Sequence, residues 1–474
     1  MRNSPIAHNL RQPWVLLAAV SVLLLVLAPQ PNDAAVDDAL TRARLNARHG
    51  NADAAYLALE EAMSLDPALE TLDTTAGRLA LHAARLTEAE QHLTSALARN
   101  AQNNEATCLL GWVRLQQGDL NEAERFQTAE CDQHGSFLLA LSDAYLASGE
   151  ISQAISIAET AFEFTPGSSD ALETLAMLKA TAAPEDALPL LRATLENQDQ
   201  PGGVILDLIR VIEDASTESS IAFSLAAAGQ VFVRHGHWQL AISALDAALQ
   251  HEPDYPEALS YLGFAMDQLG QDGLPSLETA WNLAPGSTLT AMFLADHWIR
   301  AGSPDQAVTI LEDALQRSPQ DPALHAGLGD AHTASGDVAA AREAYIQAVE
   351  LAPDQAIYWR ALAAFSIQTE VEVEALGLPA ARNAVFLSQG ASQDVELLGY
   401  AHLLVGNLSL AQELLADAIL QDPTRASSWL HWGLLQHIQG HLDEAARAFE
   451  QAAALNPDGA VGLRALRLLE NLNR

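Results

Sequence analysis

A 34-residue period runs through this chain and limits its fold more than any other feature. Pro285, Pro319 and Pro353 are spaced by 34 residues, as are Pro423 and Pro457, and Pro67 and Pro253 close similar apolar helical patterns. Between them, about half a period away, fall Gly50, Gly118, Gly149, Gly236, Gly270, Gly302, Gly336, Gly406 and Gly440. Proline removes a backbone donor and disfavours helix before it, and glycine supplies the turn. Each period therefore reads as a helix of about 13 residues, a tight turn and a second such helix.

Two periods show how the helices would fit together. In the unit from Pro322 to Pro353 and in the unit from Ala426 to Pro457, a small residue (Gly329, Gly433) sits where the first helix must come close to its partner. In the second helices Ala341 and Ala445 take the matching contact, followed a heptad later by Ala348 and Ala452, with Tyr345 and Phe449 filling the volume between. Small and large side chains alternating at i, i+3/4 and i+7 make an apolar stripe on each helix and let the pair interdigitate.

Trp429, Trp432, Gly433, Ala445, Phe449, Ala452 and Pro457 together resemble the tetratricopeptide repeat (TPR) pattern. So do Trp359, Leu362 and Ala363 in one earlier unit, and Leu138, Leu141, Tyr145, Ala154, Ala161 and Pro166 in another. The resemblance implies an all-α, right-handed superhelical solenoid of about twelve helix-turn-helix hairpins. One short hydrophobic N-terminal helix is expected before it. The expected organisation is a signal peptide or anchor over 1–35, an N-terminal array over 36–200, an irregular connector over 201–218, a C-terminal array over 219–457 and a capping helix over 458–474. The pattern breaks between Pro184 and Ser219, where the second helix reads as short, Pro201-Gly202-Gly203 interrupts, and Val204 to Asp214 fits neither helix of a unit. Extra residues around Val371 to Gly377 lengthen a later unit, and Ala101 stands where an early unit would have its proline.

Composition agrees with close-packed helices, since 49% of residues are hydrophobic but only 5% aromatic. With 24 Lys plus Arg against 61 Asp plus Glu, the net charge is −37, which disfavours a nucleic-acid partner. Lys179 is the sole lysine. At the N-terminus Arg2 and Arg11 precede the apolar run Trp14 to Ala28, and Asp33, Asp37 and Asp38 follow it. That charge order suits a signal sequence or an uncleaved anchor, with the repeats outside the cytoplasm. At about 1.5 Å per residue the run spans roughly 22 Å, short of a hydrocarbon core of roughly 30 Å, so length leaves cleavage and retention both open. A buried first helix is the third reading, although nothing polar interrupts the run to give it an amphipathic face.

Neither a catalytic constellation nor a cofactor or metal motif is evident: HExxH, GxSxG, Walker A and GxGxxG are all missing from the chain. His235 and His237 flank Gly236, and His431, His437 and His441 lie near one another, but Gly440 interrupts the helix between the last two, so these read as surface or turn histidines.

The expected function is a non-catalytic scaffold that binds a protein or peptide partner in the concave groove at the outer face of the cytoplasmic membrane, held through residues 14–28. The alternative is an accessory or regulatory subunit of a cell-envelope assembly or enzyme complex, for example in polysaccharide export or cytochrome maturation. Exposed first-helix positions in the C-terminal half give the candidate partner contacts: Phe264, Met292, Asp296, Ile299, Arg360, Ile367, Tyr400, Leu404, Leu430, Leu434 and His437. Packing between neighbouring repeats is the competing role for the same side chains. The N-terminal counterparts are Arg78, Asp143, Glu173 and Met177.

Cys108 lies early in a first helix and Cys131 at the end of the following second helix, with the Gly118-Asp119 turn between them. An antiparallel hairpin brings their backbones together, so a disulfide is geometrically possible, and two buried thiols in separate interfaces are the other reading. Alkylation of unreduced, unfolded protein followed by intact-mass measurement checks this: a bridge leaves both cysteines unmodified until reductant is added, whereas two adducts without reductant mean two thiols.

Overall fold

The computed structural model describes residues 33–126, 134–197, 202–215, 220–457 and 459–472, and among them every regular element is helical. The chain divides into two units. One holds the described residues up to Ala180 with Asp186–Leu206, the other Thr181–Glu185 with Asp207 onward. The first begins with α1 (Asp33–Arg48) and α2 (Ala52–Leu65); after a 3-10 segment at Pro67–Leu72 come α3 (Asp73–His82) and α4 (Leu86–Arg99). Next are α5 (Asn104–Gln116), the short α6 (Leu120–Glu124), α7 (His134–Ala147), α8 (Ile151–Phe164) and α9 (Ser169–Ala180); α10 (Pro184–Asn197) belongs to the first unit from Asp186, and α11 (Gly203–Ala215) only as far as Leu206.

After the rest of α11, the second unit repeats one hairpin plan. Its pairs are α12 (Ile221–Arg234) with α13 (Trp238–His251), α14 (Pro256–Gln268) with α15 (Leu274–Leu283), and α16 (Thr288–Arg300) with α17 (Pro304–Arg317). They continue with α18 (Pro322–Ser335) and α19 (Val338–Leu351), α20 (Ala356–Thr369) and α21 (Leu378–Leu387), and α22 (Ser392–Leu404) and α23 (Leu408–Gln421). Then come α24 (Ala426–Ile438) and α25 (Leu442–Leu455), before α26 (Ala460–Leu472) covers the apolar face of the last hairpin through Val461, Ala465 and Leu468.

The turn chemistry explains why each pair reverses where it does. Gly336 adopts φ +82°, its N–H bonds the Thr333 carbonyl, and the N–H of Asp337 reaches back to the His332 carbonyl at 2.9 Å. That satisfies the carbonyls left open at a helix end, in a backbone region where a Cβ is costly. The Asp337 side chain then caps α19 by accepting from the Ala340 N–H at 3.0 Å. At the other turn the proline carbonyl receives a donor from the next first helix: Trp359 Nε1 donates to Pro353 O at 2.8 Å, Trp429 Nε1 to Pro423 O at 2.9 Å, and His325 Nε2 to Pro319 O at 3.0 Å.

Inside each hairpin the small residues permit the approach expected of them. A Cβ built on Gly329 would stand 2.8 Å from the Tyr345 ring, and one on Gly433 would stand 2.5 Å from the Phe449 ring. Gly229 meets Leu245 and Gly399 meets Leu415 at the same register. In the second unit, first helices α14, α16, α18, α20, α22 and α24 pack in a continuous row, and each second helix packs behind it against its own partner and the next first helix.

Three expectations need correction or completion. The second helix after Pro184 is not short, because α10 runs for 14 residues. The connector expected to be irregular over 201–218 contains α11, where Val204, Ile205, Leu208 and Ile212 are buried. Their helical spacing supplies an apolar stripe that outweighs the Pro-Gly-Gly break before it. The extra residues near Val371 form one wide π turn at Val373–Gly377, entered through left-handed Glu370 and Glu372. The apolar run 14–28 lies outside the described residues, and none of the described helices is long and apolar enough to cross a membrane.

Gly329→Val and Gly433→Val should each destabilise the fold by about 1–3 kcal/mol, since added methyls must push an aromatic ring out of a filled space. Denaturant unfolding monitored by circular dichroism checks this, and midpoints equal to the parent's would refute close approach at these positions.

Candidate functional site

The row of first helices in the second unit carries a concavity of about 450 Å3 over α18, with walls from α16 and α20. Small residues make the room: Gly327 and Ala334 on α18, Ala295 on α16, and Ala361 and Ala364 on α20 line it. Gly327 is required by sterics as well, because a Cβ there would fall 2.6 Å from Met292 Sδ. Half-buried Met292 and Ile299 supply the apolar surface above buried Phe365, and Asp296 and Asp330 supply the charge.

The two carboxylates differ in their surroundings. Asp296 is neutralised by its own helix, accepting from Arg300 Nε at 2.9 Å. Asp330 Oδ1 accepts the Tyr345 hydroxyl at 2.6 Å, and among the described residues no basic side chain forms an ion pair with it. Asp330 is exposed to solvent, but the protein packed around it removes part of its hydration and raises its pKa above the ordinary carboxylate value; nearby Asp296 adds to the rise, and the Tyr345 hydroxyl opposes it. Tyr345 is itself raised by burial first and by the Asp330 charge second, so the phenol remains a donor at neutral pH.

Other expected contacts fall along the same row in distinct roles. Met292, Asp296 and Ile299 line the cavity itself. Phe264 stacks on Phe293 at 4.4 Å with Tyr261 edge-on to Phe293 at 5.3 Å, and the Arg300 guanidinium lies 5.8 Å over the Phe264 ring. Tyr400 stacks on His431 at 3.7 Å, and His431 Nδ1 meets Glu396 Oε1. Arg360 is committed to a partner within the chain, since its Nε and Nη2 hold both oxygens of fully buried Asp394, the latter at 2.8 Å. Leu434 is half-buried, while Leu404 and His437 are exposed.

Ile367 and Leu430 are not surface contacts: they are only 5% and 2% exposed. The wide turn brings Val373 and Leu376 into the cluster that holds Ile367, and Leu430 belongs to the terminal cluster completed by α26. Neither cover is visible from the 34-residue register. In the first unit Arg78 pairs with Glu105, Asp143 is exposed with its pKa raised by desolvation, and Glu173 and Met177 are half-buried. Cys108 is buried on α5, and Cys131 lies outside the described residues. His235 Nε2 lies 3.0 Å from Asp207 Oδ2, and among the described residues no three His, Cys, Asp or Glu side chains converge in a metal-binding group.

The cavity's central carboxylate was hidden from sequence reading. Asp330 follows the packing residue Gly329, and Tyr345 read only as filler of volume. The available signal was the coincidence of a buried aromatic bearing a hydroxyl with an acid on the facing helix.

Stacked helical hairpins with an open inner row define a repeat protein of the helix-turn-helix solenoid class. This chain belongs to the tetratricopeptide repeat family: two family models so described match residues 299–365 and residues 74–136, 226–271 and 397–460, together about half of it. It is 28% identical over 262 residues to cellulose synthase operon protein C of Xanthomonas axonopodis pv. citri (strain 306), a match spanning 53% of this chain but only 17% of that protein. Among solved structures it is similar to the APC/C Cut9–Hcn1 hetero-tetramer (12% identity, 95% of this chain and 98% of that chain, TM-score 0.40). Yeast Tom70 gives 14% identity, coverage of 86% and 96%, and a TM-score of 0.36. A tetratricopeptide repeat protein from Parabacteroides merdae gives 16% identity, 55% and 100%, and a TM-score of 0.42.

Two outcomes are expected at these carboxylates. Arg360→Ala leaves Asp394 buried without a countercharge and should cost roughly 3–5 kcal/mol in denaturant unfolding; an unchanged midpoint would show that the pair contributes nothing. For Asp330, a folded pKa above the unfolded value means ionisation costs stability, and the cost appears as pH rises from the unfolded pKa of roughly 3.9 through the folded one. The melting temperature of Asp330→Asn minus that of the parent should therefore increase from about pH 4 to about pH 7. A difference that stays level or shrinks contradicts desolvation of Asp330 by the cavity walls.

Proposed function

We propose that this protein is a non-catalytic scaffold whose first-helix groove over α16, α18 and α20 holds a segment of a partner protein. The observation that carries this reading is the cavity of about 450 Å3, open between three successive first helices and lined by half-exposed apolar groups around a carboxylate. Membership in a repeat family that serves protein–protein interaction supports it. The site of action on this reading is the outer face of a cytoplasmic membrane, supported by Arg2 and Arg11 before the apolar run 14–28 and by acids after it.

A second reading has its own observation in favour. The likeness to a protein named for a cellulose synthase operon supports a role as an accessory subunit in cell-envelope polysaccharide assembly. The two readings share a groove and differ in the partner.

A photo-crosslinking residue placed at Gln368, on the cavity wall, tests the shared element against the same residue at Leu420, which is 83% exposed on second helix α23. In native cells the Gln368 probe should give a discrete adduct that the Leu420 probe does not. Identical adducts from both positions, or none from Gln368, would rule out the groove as the binding surface. Identification of the captured protein by mass spectrometry then separates an envelope polysaccharide apparatus from other partners.

A further inference from the structure

The groove's chemistry specifies more than its shape. Resting on the reading that a partner segment occupies the groove, we infer that the cavity over α18 receives an arginine or lysine side chain from that segment. The cation is directed at Asp330, with the segment's apolar neighbours against Met292 and Ile299.

Charge complementarity argues for the cation. Asp330 is an exposed carboxylate lining the cavity, and its one hydrogen-bond donor among the described residues is the neutral Tyr345 hydroxyl. Asp296, the second carboxylate lining the same cavity, is already matched by Arg300. Seen from inside, the cavity therefore has one acid without a base, and an incoming side chain that displaces water from the cavity strengthens the attraction between its cation and that acid. A carboxylate or phosphate would meet repulsion there, and a wholly apolar side chain would leave the acid desolvated without compensation.

Size and surroundings argue for a side chain rather than a free ion. About 450 Å3 admits a long side chain with part of its backbone, and a stem of methylenes suits walls made of Met292 and Ile299 while the charged end reaches the acid. The groove continues along neighbouring first helices, where the half-exposed Phe264, Phe293 and Tyr261 offer an aromatic face for adjoining residues. An extended polypeptide uses both features, and a small amine uses only the first.

The test is selection of random short peptides from a display library on the full chain, with counter-selection on Ala364→Trp, which fills the cavity from α20. The expected result is a cavity-dependent pool enriched in peptides carrying Arg or Lys flanked by apolar residues. Replacing that Arg by neutral, nearly isosteric citrulline in a synthetic peptide should weaken binding tenfold or more to the parent, and Asp330→Asn should abolish the difference between the two peptides. The citrulline comparison leaves the protein untouched, so it stands even if the variant folds poorly. A cavity-dependent pool without basic residues, or one in which citrulline binds as well as arginine, overturns the cationic assignment while sparing the groove. The lack of any pool that distinguishes the parent from Ala364→Trp, with that variant's circular dichroism native, overturns the groove reading as well.

Discussion

Close approach of two helices at a residue without a side chain is the contact on which the rest of this structure depends. Gly329 against Tyr345 and Gly433 against Phe449 let each hairpin close until an aromatic ring lies flush on a backbone. Dispersion energy rises steeply with such contact, and a hairpin held at a fixed spacing presents a fixed face to the next. Seven consecutive hairpins run from α12 through α25; in five of them a glycine meets a leucine or an aromatic ring of the second helix, and in the other two Ala295 and Ala363 hold the same register, so small errors in one pair would propagate along the row. Between α18 and α19, Gly336 at φ +82° and Asp337 as a cap set the direction of the reversal.

The groove follows from the same economy of side chains. Gly327, Ala334, Ala361 and Ala364 are small because neighbouring first helices lie close together, and where several of them coincide the inner row hollows into a cavity. A charge in such a hollow behaves differently from one on a convex surface. Asp330 is paired with a neutral hydroxyl and not with a base, whereas Arg360 and Asp394 answer each other and act as a strut between α20 and α22. One carboxylate remains available to a ligand and the other is spent on architecture, although both stand on first helices within the same row.

Much of this was legible from spacing alone. The 34-residue recurrence of Pro285, Pro319 and Pro353, with glycines midway, located the turns, and the alternation of Gly329, Ala341, Tyr345 and Ala348 identified the packed faces. Met292, Asp296 and Ile299 were placed on the groove by the same register. Features outside that register were not legible. Ile367 and Leu430 repeat the phase of exposed residues yet are covered by the wide turn and by α26, both of which interrupt the period. Helix α11 was obscured by Pro201-Gly202-Gly203, a local breaker that a four-residue apolar stripe overrode. The Asp330–Tyr345 pair joins two helices through a hydroxyl, and a pattern of apolar and small residues carries no information about it.

Partner recognition on the inner row of first helices is the claim that matters most for function. Hydrogen–deuterium exchange of the full chain with and without a bound partner tests it most directly, because local opening of each helix is read separately. Protection concentrated on Thr288–Arg300, Pro322–Ser335 and Ala356–Thr369 is the result predicted. Protection confined to second helices such as Leu408–Gln421, with the inner row unchanged, would contradict it.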